Sequence, residues 1–213
     1  MSAWNRPPAG IGVADFFEQW LPQAFADAAR AQGAAGPRLG LDDAPLVRAT
    51  VSGTGGGAWE VRGAPDGLQV GAAGTGTPDV WVRQSVTDFR AAFDGDPDLP
   101  VLIPPGWSAL DLLFLDPRDV DLLRQVQGRA LVELAGRRAR RWSLDVAFGK
   151  TGVAAGRPRS TVRLDGATFE GIQAGRLSPV QPLLDGRMKL EGDRALAMQI
   201  LLLLGSRLGR DRR

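Results

Sequence analysis

Apolar residues near the start of the chain are spaced for a helix rather than a strand. Phe16, Phe17, Trp20, Leu21 and Phe25 cluster at the three- and four-residue intervals of one helical face. Asp15-Phe16-Phe17-Glu18 has capping-box spacing, with Asp15 placed to accept first-turn amides and Glu18 to reach back. Pro22 lacks an amide donor and is expected to kink or restart the helix; Gly33 and Gly36 end it. The spacing predicts helix over 14–32. Between residues 45 and 84 the pattern shortens to β-like runs, Leu46–Ser52, Ala58–Arg62, Leu68–Ala72 and Val80–Gln84. They are punctuated by Gly53, Gly55–Gly57 and Asp66-Gly67, which reads as an antiparallel meander. Ser85-Val86-Thr87-Asp88 then opens a helix with Phe89, Ala92 and Phe93 on one face, closing at Gly95. After a proline-rich stretch, Asp111–Leu115 reads as a strand and Arg118–Val126 as a helix.

This block recurs. At an offset of 83, Gly53 falls on Gly136, Trp59 on Trp142 and Val70 on Val153. At an offset of 80, Pro78, Val82, Arg83, Phe89 and Gly95 fall on Pro158, Val162, Arg163, Phe169 and Gly175. Fixed offsets across aromatic residues and turn glycines are the mark of an internal repeat. The expected organisation is an N-terminal helical segment (1–44), a first, divergent repeat (45–128) and a second repeat with a basic tail (129–213).

The second copy continues into a more specific pattern. Asp165 is placed to cap a helix bearing Phe169 and Ile172 and ending near Gly175. Ser178-Pro179 reads as the next helix start, with Val180, Leu183 and Leu184 before a stop at Asp185-Gly186. Arg187–Leu190 reads as a brief strand, and Asp193 as the cap of a closing helix over 194–206. The run Gly186-Arg187-Met188-Lys189-Leu190-Glu191-Gly192-Asp193, followed by Leu196-Ala197-Met198, resembles the C-terminal half of sterol carrier protein type-2 domains. The resemblance is clearest over residues 160–205. Arg187 stands where that family more usually has lysine. The resemblance implies an α+β fold, a twisted, largely antiparallel sheet covered by helices and enclosing an apolar tunnel, and the internal repeat gives it here in tandem duplication. It also implies a carrier that binds a sterol, fatty acyl chain or other apolar small molecule without covalent chemistry.

The closing helix carries Leu196, Met198, Ile200 and Leu201–Leu204 around most of its circumference, where a surface helix needs one apolar stripe. Such a helix is equally a core helix between two layers, because interiors normally close-pack. The residues expected to line the ligand are Phe169, Ile172, Leu184, Met188, Leu196, Met198, Ile200, Leu201 and Leu204. The alternative is a tightly packed scaffold or accessory subunit of a lipid or quinone biosynthetic complex, with no ligand of its own.

Composition narrows the chemistry. The 213 residues contain no cysteine, histidine or tyrosine, so disulfides, thiolate metal sites and His-activated nucleophiles are excluded. We therefore expect no catalytic residue, metal or cofactor, and no enzyme activity. The pI is near 9.9, yet the formal charge is only +2. Every cation except Lys150 and Lys189 is arginine, which with the Ala and Gly content points to a GC-rich bacterial genome rather than to nucleic acid. Arg137-Arg138-Ala139-Arg140-Arg141 reads as a solvated hairpin tip, with transient contact to an anionic membrane surface as the sharper alternative. Gly53–Gly57 lacks the Lys-Ser/Thr ending of a phosphate loop. No signal peptide or spanning segment is read in the sequence, and a cytoplasmic location is expected. The sequence names no protein partner.

Overall fold

The computed structural model describes residues 6–32, 44–64, 67–103, 117–149, 158–178 and 180–200. The opening apolar cluster forms a single helical run, α1 (Val13–Asp15), a π-turn over Phe16–Trp20 and α2 (Leu21–Gln32). The wide turn, in which the Leu21 amide donates to the Phe16 carbonyl, lies directly ahead of Pro22. A proline ring in a regular helix clashes with the carbonyl four residues earlier, and a local widening is one way round it. The expected capping box does not form. Asp15 sits inside the helix with helical dihedrals and makes no cap, whereas Glu18 accepts from the Trp59 indole N–H at 2.8 Å.

The strands are β1 (Val47–Ser52), β2 (Gly57–Ala64), β3 (Gly67–Ala72), β4 (Val80–Ser85), β5 (Gly128–Ala135), β6 (Arg141–Phe148), β7 (Ser160–Asp165) and β8 (Lys189–Gly192). They form one sheet in the order β3-β2-β1-β4-β6-β5-β7-β8. The helices between them are α3 (Val86–Phe93), α4 (Pro117–Gln125), α5 (Gly166–Gln173) and α6 (Gln181–Leu184). The closing helix, α7, is described over 194–200. The expected strand at 111–115 lies outside the described residues. The meander expectation needs one correction. β1, β2 and β3 pair antiparallel, but β4 returns beside β1 in parallel.

The two halves share topology and register. β1 pairs with β4 in parallel up to Ser52↔Ser85, and β5 pairs with β7 in parallel up to Ala135↔Asp165. These end pairs stand 83 and 80 residues apart along the chain, the same two offsets found in the sequence. Each of the second strands runs into an eight-residue helix capped by its own last residue. Ser85 Oγ accepts from the Asp88 amide, and Asp165 from the Thr168 amide.

β4 and β6 join the halves, pairing antiparallel from Val80↔Phe148 to Arg83↔Asp145. In the first half β2 is flanked by β3; in the second, the corresponding edge of β6 is taken by β4. Likewise β7 is flanked by β8, and the corresponding edge of β4 is taken by β6. One pairing closes two edges that would otherwise stay open to aggregation.

Side chains alternate across this sheet. One face carries Val47, Ala49 and Val51, then Val80 and Val82, Val146 and Phe148, Ala130 and Leu134, and Val162 and Leu164; the buried clusters and the helices lie on that side. The other face carries cross-strand ion pairs: Arg48–Glu60, Arg83–Asp145–Arg129 and Glu133–Arg163–Glu191. Trp81 packs there under the guanidiniums of Arg48 and Arg83, at 5.9 and 4.6 Å, and donates to Thr50 Oγ1. Asp145 serves two arginines across the junction. Its hydrogen bond holds Arg129 above its ordinary pKa, whereas burial pushes Arg83 below its own.

A second clasp across the halves comes from the β5–β6 hairpin. Trp142 donates to the Asp88 carbonyl at 2.9 Å, Ser143 Oγ to Asp88 Oδ2 at 3.0 Å, and Arg140 pairs with Asp88 and Asp96. The Asp98 amide and Arg140 hold the Asp96 carboxyl below its usual range. The arginine-rich tip is therefore not uniformly solvated. Arg137, Arg138 and Arg141 are exposed, but Arg140 is tied into the fold. Its turn forces positive φ on two side-chain-bearing residues, Arg138 (50°) and Ala139 (61°), a conformation that glycine adopts without penalty.

Two stability outcomes follow from these contacts. Asp145→Asn removes the carboxylate that Arg83 and Arg129 share, and costs about 2 kcal/mol in urea unfolding, less than a fully buried pair would because all three are partly exposed. Ala139→Gly removes left-handed strain at the hairpin tip and stabilises by about 0.5–1 kcal/mol in the same assay.

Candidate functional site

The two ends of the apolar face are covered differently. Over β1–β3, the opening helical run lays Phe16 and Phe17 against Trp59, with Trp20, Phe89 and Phe93 around them. Phe17 stacks on Trp59 with ring centroids 4.7 Å apart, and Phe16 meets Trp20, Phe89 and Phe93 at 4.7–5.1 Å. Rings at these separations are in contact. This half of the face is filled by the protein's own aromatics, locked by the Trp59–Glu18 hydrogen bond. The repeat-matched Trp142 is held instead by the Asp88 carbonyl of α3, so a helix of the first half anchors the second half's tryptophan. α4 and the turn after it contribute Leu123 and Val126 to a cluster with Val80, Ala130 and Phe148.

Over β5, β7 and β8 the buried core is aliphatic, with two rings only partly buried at its edge. Leu134, Val162, Leu164 and Met188 form the buried floor with Leu102 and Ala197, and Phe169, Ile172, Trp142 and Leu190 are only partly buried around them. Local sequence places these elements as expected. Asp165 caps α5 through its 2.7 Å bond from the Thr168 amide. Asp193 caps α7, accepting from Leu196 N at 3.1 Å, and its ion pair with Arg159 fixes the helix start to β7.

Of the nine expected lining residues, the structure gathers Phe169, Ile172 and Met188 in this cluster. Leu196 and Ile200 are buried in the adjoining cluster beside Ala130 and Phe148. Met198 is half-buried. α7 straddles the two clusters, with Ala197 facing one and Leu196 and Ile200 the other. Over 194–200 only this face is buried, and Arg194, Ala195 and Gln199 are exposed. The helix is one-sided there rather than apolar all round. Leu201 and Leu204 lie outside the described residues.

Leu184 does not join the others; it is 82% exposed. The reason is a shifted helix start. Ser178 does accept, from Gln181 N at 3.2 Å, but α6 begins at Gln181 and places Pro182 in its first turn and in the interior. The helical face is turned accordingly, and Leu184 points away.

Gly128 sets how closely α7 approaches the sheet. It has φ +140°, and a Cβ there would stand 2.7 Å from Leu196 Cδ2. No cluster of three or more metal-ligating side chains occurs among the described residues. Nor, among them, is any helix long and apolar enough to cross a membrane.

This arrangement, a capped helix pair over an aliphatic sheet face, coincides with a family match. Residues 110–204 match the model of the SCP-2 sterol transfer family. The match takes in the 160–205 signature except its last residue and runs upstream through β6, β5 and α4. Hydroxysteroid dehydrogenase-like protein 2 of Xenopus tropicalis is 28% identical over 89 residues, 40% of this chain and 21% of that protein. The Xenopus laevis protein of the same name gives the same figures. The chain thus spans about a fifth of the length of these relatives. Among solved structures, sterol carrier protein 2 of Yarrowia lipolytica in its apo form is similar at 16% identity and TM-score 0.32, over 41% of this chain and 74% of that one. The sterol carrier protein domain 2 of Helicoverpa armigera follows at 17% and 0.32, over 42% and 75%.

Gly128→Ala combines an unfavourable φ with a clash against Leu196, and lifts α7 from the sheet of the C-terminal half. The expected cost is about 1–3 kcal/mol in denaturant unfolding, with faster amide exchange in 194–200 than in β1–β3.

Proposed function

We propose that the C-terminal half binds a lipid, a sterol, fatty acyl chain or similar apolar molecule, between the β5-β7-β8 face and helices α5 and α7. In this reading the chain is a non-catalytic carrier or transfer protein. The observation that carries it is the partly exposed apolar rim of Phe169, Ile172, Trp142 and Leu190 around buried Met188, inside the segment that matches the SCP-2 family. Methionine and aliphatic side chains make an adaptable wall that reshapes around a flexible apolar guest. We further read the chain as a tandem duplication whose two copies have diverged in role. The shared registers and capped helices support that reading. The aromatic filling of the first copy supports reading it as a packed, supporting copy. The working location is the cytoplasm.

Organic extraction of the recombinant protein followed by mass spectrometry is expected to recover bound lipid. The delipidated chain is expected to bind the neutral dye Nile red, and Ile172→Trp, which fills the rim, to weaken that binding at least about tenfold. Consistently empty protein that also leaves the dye unbound would refute the carrier reading.

A further inference from the structure

On the apolar face lies a hydroxyl with nothing to bond among the described residues. Ser160 opens β7, is 1% exposed, and its Oγ has no hydrogen-bond partner among them. Register puts it on the helix-covered face, level with Ala130 of β5 and Gly192 of β8, and in line with Val162 and Leu164 on its own strand. Ala130 belongs to the cluster formed by Leu196 and Ile200 of α7, so the hydroxyl sits beneath the closing helix. A buried hydroxyl without a partner is destabilising, and alanine at this position would fold without that penalty. A core built only for packing gains nothing from serine here.

The surroundings specify what the hydroxyl can take. Its lateral neighbours are both small, leaving the sheet surface low at this point. Gly192 has φ +80° and a Cβ there would fall 2.1 Å from the Arg159 carbonyl, so the row is held to glycine by the backbone itself. The cations flanking the position are engaged elsewhere: Arg159 with Asp193, Arg163 with Glu133 and Glu191, and Arg129 with Asp145 on the opposite face. A carboxylate brought here would be buried with no counter-charge, whereas a neutral oxygen would gain a hydrogen bond.

We propose that Ser160 is the polar anchor of the bound lipid and selects a neutral oxygen-bearing end, an alcohol, ketone or ester, over an ionised carboxylate. This rests on the lipid-binding reading above and narrows its ligand class. The apolar remainder of the guest lies against Met188, Phe169 and Ile172, and α7 closes over the anchored end.

The test is displacement of Nile red from the full chain by 1-dodecanol, dodecane and laurate, in wild type, Ser160→Ala and Ser160→Cys. Wild type is expected to prefer 1-dodecanol to both others. Ser160→Ala weakens 1-dodecanol roughly fivefold, the worth of one ordinary hydrogen bond, and leaves dodecane unchanged; Ser160→Cys, with a weaker donor, falls between. The ligand-free Ser160→Ala protein melts about 2–4 °C higher, because an unsatisfied group has been removed. That rise also shows that the variant folds. Unchanged 1-dodecanol affinity, equal losses for alcohol and alkane, or a wild-type preference for laurate would overturn the anchor while leaving lipid binding intact. Failure of Nile red and all three ligands to bind the wild type would overturn the carrier reading and the anchor together.

Discussion

The pairing of β4 with β6 is the contact on which the rest of the molecule depends. Each half alone would leave an open strand edge at this point, and one antiparallel ladder closes both. Backbone hydrogen bonds supply the ladder, and one carboxylate ties its charges together across three strands. Asp145 lies directly opposite Arg83 and diagonal to Arg129, so it pairs with two guanidiniums in a partly dehydrated setting where an unpaired charge would be costly. The β5–β6 hairpin adds a second, independent hold through Trp142, Ser143 and Arg140 on Asp88. Register errors at the junction would break both sets at once. That fixes how the apolar face of one half continues into the other.

A single-layered sheet with helices on one side needs its far face to remain compatible with water. The ion-pair ladder does this. Opposite charges stand on directly paired or diagonal positions, as at Arg48–Glu60 and Glu133–Arg163–Glu191, where cross-strand pairs contribute modestly and like charges would be unfavourable. Trp81 lies flat under Arg48 and Arg83 and so keeps its ring on a polar face. With the far face committed to charge, any apolar guest has only the helix-covered side available. There the two halves part company: aromatic rings close the space over β1–β3, while aliphatic side chains with a partly exposed rim cover β5, β7 and β8.

Much of this was legible from local pattern. All four strands of the first half, α3 with its Ser85 cap, α5 with its Asp165 cap and α7 with its Asp193 cap are set by side chains within three or four residues of the element they start. The errors fall where a residue's partner is far away. Glu18 looks like a capping-box residue by spacing, but Trp59, 41 residues on, offers a buried indole N–H that outcompetes the local amide. The Ser178-Pro179 start is displaced to Gln181, with Pro182 buried in the first turn, and Leu184 lies exposed. Nothing in the local pattern distinguishes Ser160 from any strand serine; its isolation follows from what lies above it.

By itself, the sequence determined most element types and the caps of α3, α5 and α7, because those depend on side-chain periodicity and on hydrogen bonds between near neighbours. It also carried the match over residues 110–204, which is a property of residue identities alone. The tertiary structure decided how the halves share edges, which half is filled by its own rings, and which expected lining residues meet. Those outcomes depend on contacts between residues tens of positions apart, where packing and desolvation, not periodicity, choose among arrangements that local pattern permits equally. Only in that setting does the hydroxyl of Ser160 become an unmet bond beneath a closing helix.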